Sequence, residues 1–218
     1  MSGARRSGEK GKYRLKHFER ELVRGFLHEP EHPNGNGLVI THGAGSNSDT
    51  ALLKAVAEAF AAAGFVTLRC DLPFRQQRLK GPPFPAQGER DREGLRRAVE
   101  ALREIAGHKV FLGGHSYGGR QATMLAAEEP NVADALLLLS YPLHPPHKPE
   151  QLRTGHFGSI QIPALFVHGT RDTFGTIDEM RAALPLIPAR TDLAIVDGAG
   201  HSLKPSVAGM CVQRLSVL

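Results

Sequence analysis

Val110-Phe111-Leu112-Gly113-Gly114-His115-Ser116-Tyr117-Gly118-Gly119 is the stretch that decides how this chain folds. A short apolar run ends in the pattern G-x-S-x-G at Gly114, Ser116 and Gly118, and a helix-forming stretch follows from Tyr117 to Glu129. Five residues match by chance often enough, so the strand–turn–helix context carries the reading. A strand that turns sharply into a helix can hold one serine at the apex in a strained backbone conformation. Glycines at 114 and 118 leave room for that turn, because a Cβ there would meet neighbouring backbone. The Ser116 hydroxyl then stands at the C-terminal edge of a sheet, where open α/β folds place their ligands. Two other readings are a glycine-rich turn with an incidental serine and a phosphate loop. A phosphate loop needs Gly-Lys followed by Ser or Thr, whereas Gly118 is followed by Gly119 and Arg120.

The flanking sequence repeats the same alternation. Apolar runs at Leu38–Ile40, Phe65–Leu68, Ala135–Leu139, Ala164–Val167 and Leu193–Val196 read as buried strands. Between them, residues 51–63 form an Ala-rich helix with Asp49 as its expected N-cap and Gly64 as its end. Further helices are expected at Glu89–Ala106, near Ile177–Ala183 and after Ser202, with two short strands in Tyr13–Leu27 and a turn over Pro30–Gly37. Uniformly apolar strands alternating with helices imply one doubly wound, mostly parallel sheet covered on both faces, a single α/β domain over residues 13–218.

A serine needs a base to take its proton, and the base needs a third group to fix its tautomer. The chain supplies them in the order Ser, Asp, His. Asp172 follows the strand 164–167 in His168-Gly169-Thr170-Arg171-Asp172, and His201 follows the strand 193–196 in Asp197-Gly198-Ala199-Gly200-His201. Both loops open on the rim that holds Ser116. Asp172 as a mere helix cap is the plainer alternative, and Asp197 is the rival acid, disfavoured because it would have to reach a histidine four residues away in its own loop. Donors for a developing oxyanion are expected from the Tyr117 backbone N–H and from that of Ala44 in His42-Gly43-Ala44-Gly45. His42, His115 and His168 flank these loops and read as scaffold hydrogen-bonders. His144 and His147 lie among prolines and read as loop, so no metal site and no cofactor is expected.

The loop after the strand 65–68 carries Arg69, Arg75, Arg78 and Lys80 against Asp71. Arg75, with Phe74 and His115, is the candidate substrate contact, and Phe74, Pro82, Pro83 and Phe84 are a candidate apolar wall. Arg120 reads more simply as a structural hydrogen-bonder and Arg78 and Lys80 as solvated loop charges. Only about two dozen residues separate the strands 135–139 and 164–167, too few for a cap domain.

Composition narrows the classes. The 218 residues carry 27 Lys and Arg, 22 Asp and Glu, and 41% hydrophobic residues, the profile of a globular domain. Residues 1–16 hold six basic side chains and one acid, so the remaining 202 residues are balanced and the net +5 belongs to the front end. Residues 1–12 read as a disordered basic arm, and a neutral body gives no expectation of nucleic-acid binding. Cys70 and Cys211 make no disulfide framework, nothing approaches a membrane span, and no apolar segment backs the basic start as in a secretory signal. A cytoplasmic protein is the expectation.

Taken together, Thr41-His42-Gly43-Ala44-Gly45, Gly113-Gly114-His115-Ser116-Tyr117-Gly118-Gly119-Arg120, Tyr141-Pro142-Leu143-His144-Pro145-Pro146, His168-Gly169-x-x-Asp172 and the late His201 resemble the α/β-hydrolase superfamily, in a dienelactone-hydrolase-like branch. The resemblance covers nearly the whole of residues 13–218. It implies a hydrolase of a small-molecule ester or thioester. Some relatives in that branch are subunits of a chromatin-modifying assembly without clear catalytic duty, so a non-catalytic interaction module is the competing expectation. The nucleophile position departs from the dienelactone hydrolases themselves, where it is Cys, and their substrate therefore does not transfer.

Overall fold

The computed structural model describes residues 13–218, and the arm expected at 1–12 lies outside the described residues. Eight strands build one sheet: β1 (Tyr13–Arg20), β2 (Val23–Pro30), β3 (Gly37–Thr41), β4 (Val66–Asp71), β5 (Val110–His115), β6 (Leu136–Leu139), β7 (Ala164–Gly169) and β8 (Thr191–Val196). Their spatial order is β1-β2-β4-β3-β5-β6-β7-β8. The hairpin β1–β2 and the β2–β4 pair are antiparallel, and every pairing from β4 through β8 is parallel.

Period-two geometry explains why the central strands are apolar throughout. In β6, Leu136 and Leu138 join the cluster under one face and Leu137 and Leu139 the cluster under the other, all four fully buried. Helices α3 (Gly88–Ala106), α4 (Tyr117–Glu128) and α5 (Ile177–Ala183) cover the first face. Helices α1 (Ala51–Ala62) and α6 (Ala208–Leu215) cover the second. β1 lies at the sheet edge and is mostly exposed, with polar and charged residues through most of its length.

Two local expectations need correction. The N-cap of α1 is Thr50, whose side chain accepts from the Leu53 N–H, while Asp49 pairs with Lys54 and Arg69 instead. The segment after β4 is not a solvated loop. It folds into a five-residue helix, α2 (Pro73–Gln77), started by the fixed φ of Pro73. Between β6 and β7 the chain makes only a single 3₁₀ turn at Phe157–Ser159, so no cap domain covers the sheet edge. Among the described residues no helix is long and apolar enough to cross a membrane.

Candidate active site

Ser116 sits where β5 ends and α4 begins, with φ 51° and ψ −114°, a conformation costly for a residue with a side chain. Neighbouring backbone enforces it. A Cβ on Gly114 would lie 2.5 Å from the Gly118 carbonyl carbon, and one on Gly118 would lie 2.5 Å from the His42 carbonyl oxygen. The elbow therefore packs backbone on backbone, and the β3 loop carrying His42 touches it directly. The Ser116 N–H donates to the Leu139 carbonyl (2.9 Å), which ties the apex to β6.

His201, in the loop after β8, brings Nε2 to 2.7 Å from Ser116 Oγ. Its Nδ1 lies 2.9 and 3.0 Å from the two carboxylate oxygens of Asp172, in the loop after β7. The Nδ1–H donates to that carboxylate, so Nε2 keeps its lone pair for the serine O–H. Burial alone would raise the Asp172 pKa. The His201 hydrogen bond, the Phe174 N–H on Oδ1 and the nearby His201 and His168 rings outweigh it, and the carboxyl lies below its ordinary range. Two further contacts hold His201 in place. The Phe174 ring stacks on the imidazole with centroids 4.0 Å apart, and His115 Nε2–H donates to the His201 carbonyl (3.0 Å). Asp197 does not reach the imidazole and accepts from the Thr170 hydroxyl (3.3 Å).

The β3 loop is oriented by His42. This buried ring donates Nδ1–H to the Gly43 carbonyl (2.8 Å) and accepts the Leu72 N–H at Nε2 (3.1 Å), so it must be neutral. Burial lowers its pKa accordingly, against the opposing Gly43 bond and Asp71 charge. Because C=O and N–H of a trans peptide point opposite ways, the Ala44 N–H faces away from that fixed carbonyl. Among the described residues no protein acceptor takes the Ala44 N–H or that of Tyr117, the first residue of α4.

These groups border one open cleft of about 430 Å³, lined by Gly43 to Ser46, His115, Ser116, Tyr117, Arg120, Pro142, Arg153, Phe174 and His201. Arg75 and Phe74 are not part of it, which corrects their expected contact with substrate. Arg75 is buried and spends its guanidinium on the carbonyls of Ala44, Ser46, Arg78 and Gly81 at 2.8–3.0 Å. It fastens the β3 loop from behind. Phe74 is 1% exposed, packed against the His42 and Tyr117 rings. His115 lines the cleft, with Nε2 already committed to His201. Pro82, Pro83 and Phe84 line a neighbouring groove that shares Ala44, Tyr117 and Arg120 with the cleft. Burial pushes both thiols, Cys70 and Cys211, up to about 12, so neither supplies a thiolate. Among the described residues no group of three or more His, Cys, Asp or Glu is placed to hold a metal ion.

The family model described as an alpha/beta hydrolase domain matches residues 34–213. The chain belongs to that family. Solved structures agree with it over nearly its full length. TT1662 from Thermus thermophilus is 22% identical, covers 95% of this chain and 98% of its own, and superposes with a TM-score of 0.75. The dienelactone hydrolase from Anabaena variabilis is 24% identical, with 94% and 96% covered and a TM-score of 0.70. Est1E from Butyrivibrio proteoclasticus, with ferulic acid bound, is 17% identical, with 93% and 98% covered and a TM-score of 0.75. At these identities the likeness is one of fold. In this α/β-hydrolase, Arg153 and Phe174 line the cleft without having been singled out by sequence. Both lie in loops with no period to read, and only the tertiary fold carries them to Ser116.

Proposed function

We propose that this protein is a serine hydrolase that cleaves a carboxylic ester or thioester through an acyl-enzyme. The observation that carries the reading is the 2.7 Å approach of His201 Nε2 to Ser116 Oγ with Asp172 bonded to the opposite ring nitrogen. Ser116 Oγ attacks the substrate carbonyl carbon while His201 Nε2 takes its proton. The Tyr117 and Ala44 N–H groups receive the oxyanion, a stabilisation whose loss costs about 3 kcal/mol of barrier per donor. His201 returns the proton to the leaving alcohol or thiol as the carbonyl re-forms. A water molecule, deprotonated by the same nitrogen, then releases the acid and restores the serine. Asp172 holds the imidazole in one tautomer and balances its charge when protonated.

The test is labelling with a fluorophosphonate probe, which phosphonylates only a serine activated by a base. Wild-type protein labels and Ser116→Ala does not. Absence of labelling in correctly folded wild type sinks the reading and favours a scaffold that keeps the elbow as architecture only.

A further inference from the structure

Among the described residues two arginines face the cleft and no carboxylate does. Arg120 lies on the first turn of α4, its backbone N–H bonded to the Ser116 carbonyl (3.0 Å), and Arg153 reaches in from the chain between β6 and β7. Neither guanidinium has a salt-bridge partner among the described residues, although Arg92, Arg96, Arg97, Arg103 and Arg214 all do. Among the described residues the Arg120 guanidinium finds no hydrogen-bond acceptor, and its buried Nε is unpaired. Arg153 gives one N–H to the Pro142 carbonyl (3.3 Å) and keeps the rest of its fork.

The placement of Arg153 is built. Its N–H donates to the Leu143 carbonyl (2.8 Å), and its carbonyl accepts from the fully buried Tyr141 hydroxyl (2.7 Å). The segment is thereby tied to the start of the same loop. Burial and the proximity of Arg120 both disfavour the charged form of Arg153. Two cations held together in a partly dry site lack the carboxylate that Arg69, Arg92 and Arg96 have, and backbone carbonyls do not fill their forks as they fill that of Arg75. A planar fork without a partner suits a ligand oxyanion, which it can meet with two parallel N–H···O bonds.

We propose that the substrate carries an anionic group, a carboxylate or a phosphate, and that Arg120 and Arg153 bind it beside the reacting ester. Arg120 also lines the groove walled by Pro82, Pro83 and Phe84, so the anion sits where the cleft and that groove join. For its reaction this subsite rests on the hydrolase reading above; for binding it stands alone.

Two measurements test it on the full chain. The first compares kcat/KM for p-nitrophenyl hemisuccinate with that for the neutral p-nitrophenyl butyrate, and for 4-acetoxybenzoate with that for phenyl acetate. These pairs place the charge on the acyl and alcohol sides respectively. Wild type prefers the anionic member of one pair by about tenfold or more, the worth of a charge-assisted hydrogen bond. Arg120→Gln and Arg153→Gln each lose most of that preference, and Arg153→Lys retains part of it. The Arg120 change strips no hydrogen bond from the protein, and near-UV circular dichroism checks each variant's fold.

The second measurement is calorimetric titration of monomethyl succinate and of methyl 3-phosphonopropionate into Ser116→Ala protein, with and without each arginine change. Arginine-dependent binding supports the subsite, and the tighter ligand distinguishes carboxylate from phosphate. Neutral esters cleaved with no charge preference, together with no arginine-dependent binding, overturn the subsite and leave the hydrolase reading intact. Arginine-dependent binding without turnover of any ester supports the subsite and sinks the hydrolase reading.

Discussion

Asp172 is ionised at neutral pH because its surroundings are donors. Both carboxylate oxygens take the His201 Nδ1–H and Oδ1 also takes the Phe174 N–H, while the side chain itself is fully buried. An amide in its place keeps the shape and offers an N–H as readily as an oxygen. The imidazole can then turn its lone pair toward residue 172 and lose the orientation that a serine proton requires. In the proposed reaction, Asp172→Asn lowers kcat by roughly 10³–10⁴ with little change in KM. Steady-state kinetics on a neutral ester reads this directly, and activity within tenfold of wild type removes Asp172 from the catalytic group.

Helix α3 ties the elbow to its supports through one buried acid. Asp91, fully buried, accepts the Phe74 N–H at Oδ1 (3.0 Å) and the Tyr117 hydroxyl at Oδ2 (2.8 Å), joining α3 to α2 and to the first residue of α4. Burial raises its pKa, opposed by those two hydrogen bonds, so its charge is held at a cost that a neutral acceptor avoids. Asp91→Ala strands both donors and destabilises the fold by about 1–3 kcal/mol for each. Asp91→Asn keeps one acceptor and loses less. Urea midpoints at constant slope measure the difference, and a loss below about 1 kcal/mol for the alanine variant discards this anchoring role. Elements of this kind mark where sequence reading runs out. The elbow is legible because its glycines answer a local steric demand written in five consecutive residues. Helix α2 is not, since five residues show no periodicity, and Arg75 within it reads as a contact for an anionic substrate. Its burial depends on carbonyls at Ala44 and Ser46, some thirty residues away, a match that only the folded chain presents.

Across the whole molecule, the parallel sheet was legible from its fully apolar strands and His42, His115 and His168 as hydrogen-bonding scaffold, but the burial of His28 was not, because a lone His carries the same letter exposed or buried. In the fold His28 and His42 are buried in surroundings that disfavour a second proton. His28 Nε2 accepts the Arg69 Nε–H (3.1 Å), and Arg69 in turn lies over the Phe26 ring. Burial, and then the Arg69 charge, lower the His28 pKa from its ordinary 6.5 to about 4. The unfolded chain therefore takes a proton at His28 below about pH 6.5, whereas the folded chain refuses it until about pH 4. Stability rises with pH wherever the unfolded state binds more protons, so it is lost as pH falls through that window. The full loss from His28 is on the order of 3 kcal/mol, and His42 adds a loss of the same sign. Urea denaturation of wild type at intervals from pH 7.5 to pH 4 is expected to show a falling midpoint before most carboxylates titrate. His28→Gln keeps an acceptor for Arg69 but has no proton to gain, so its stability falls less steeply over the same interval. A variant slope equal to that of wild type rules out His28 as the source of the loss.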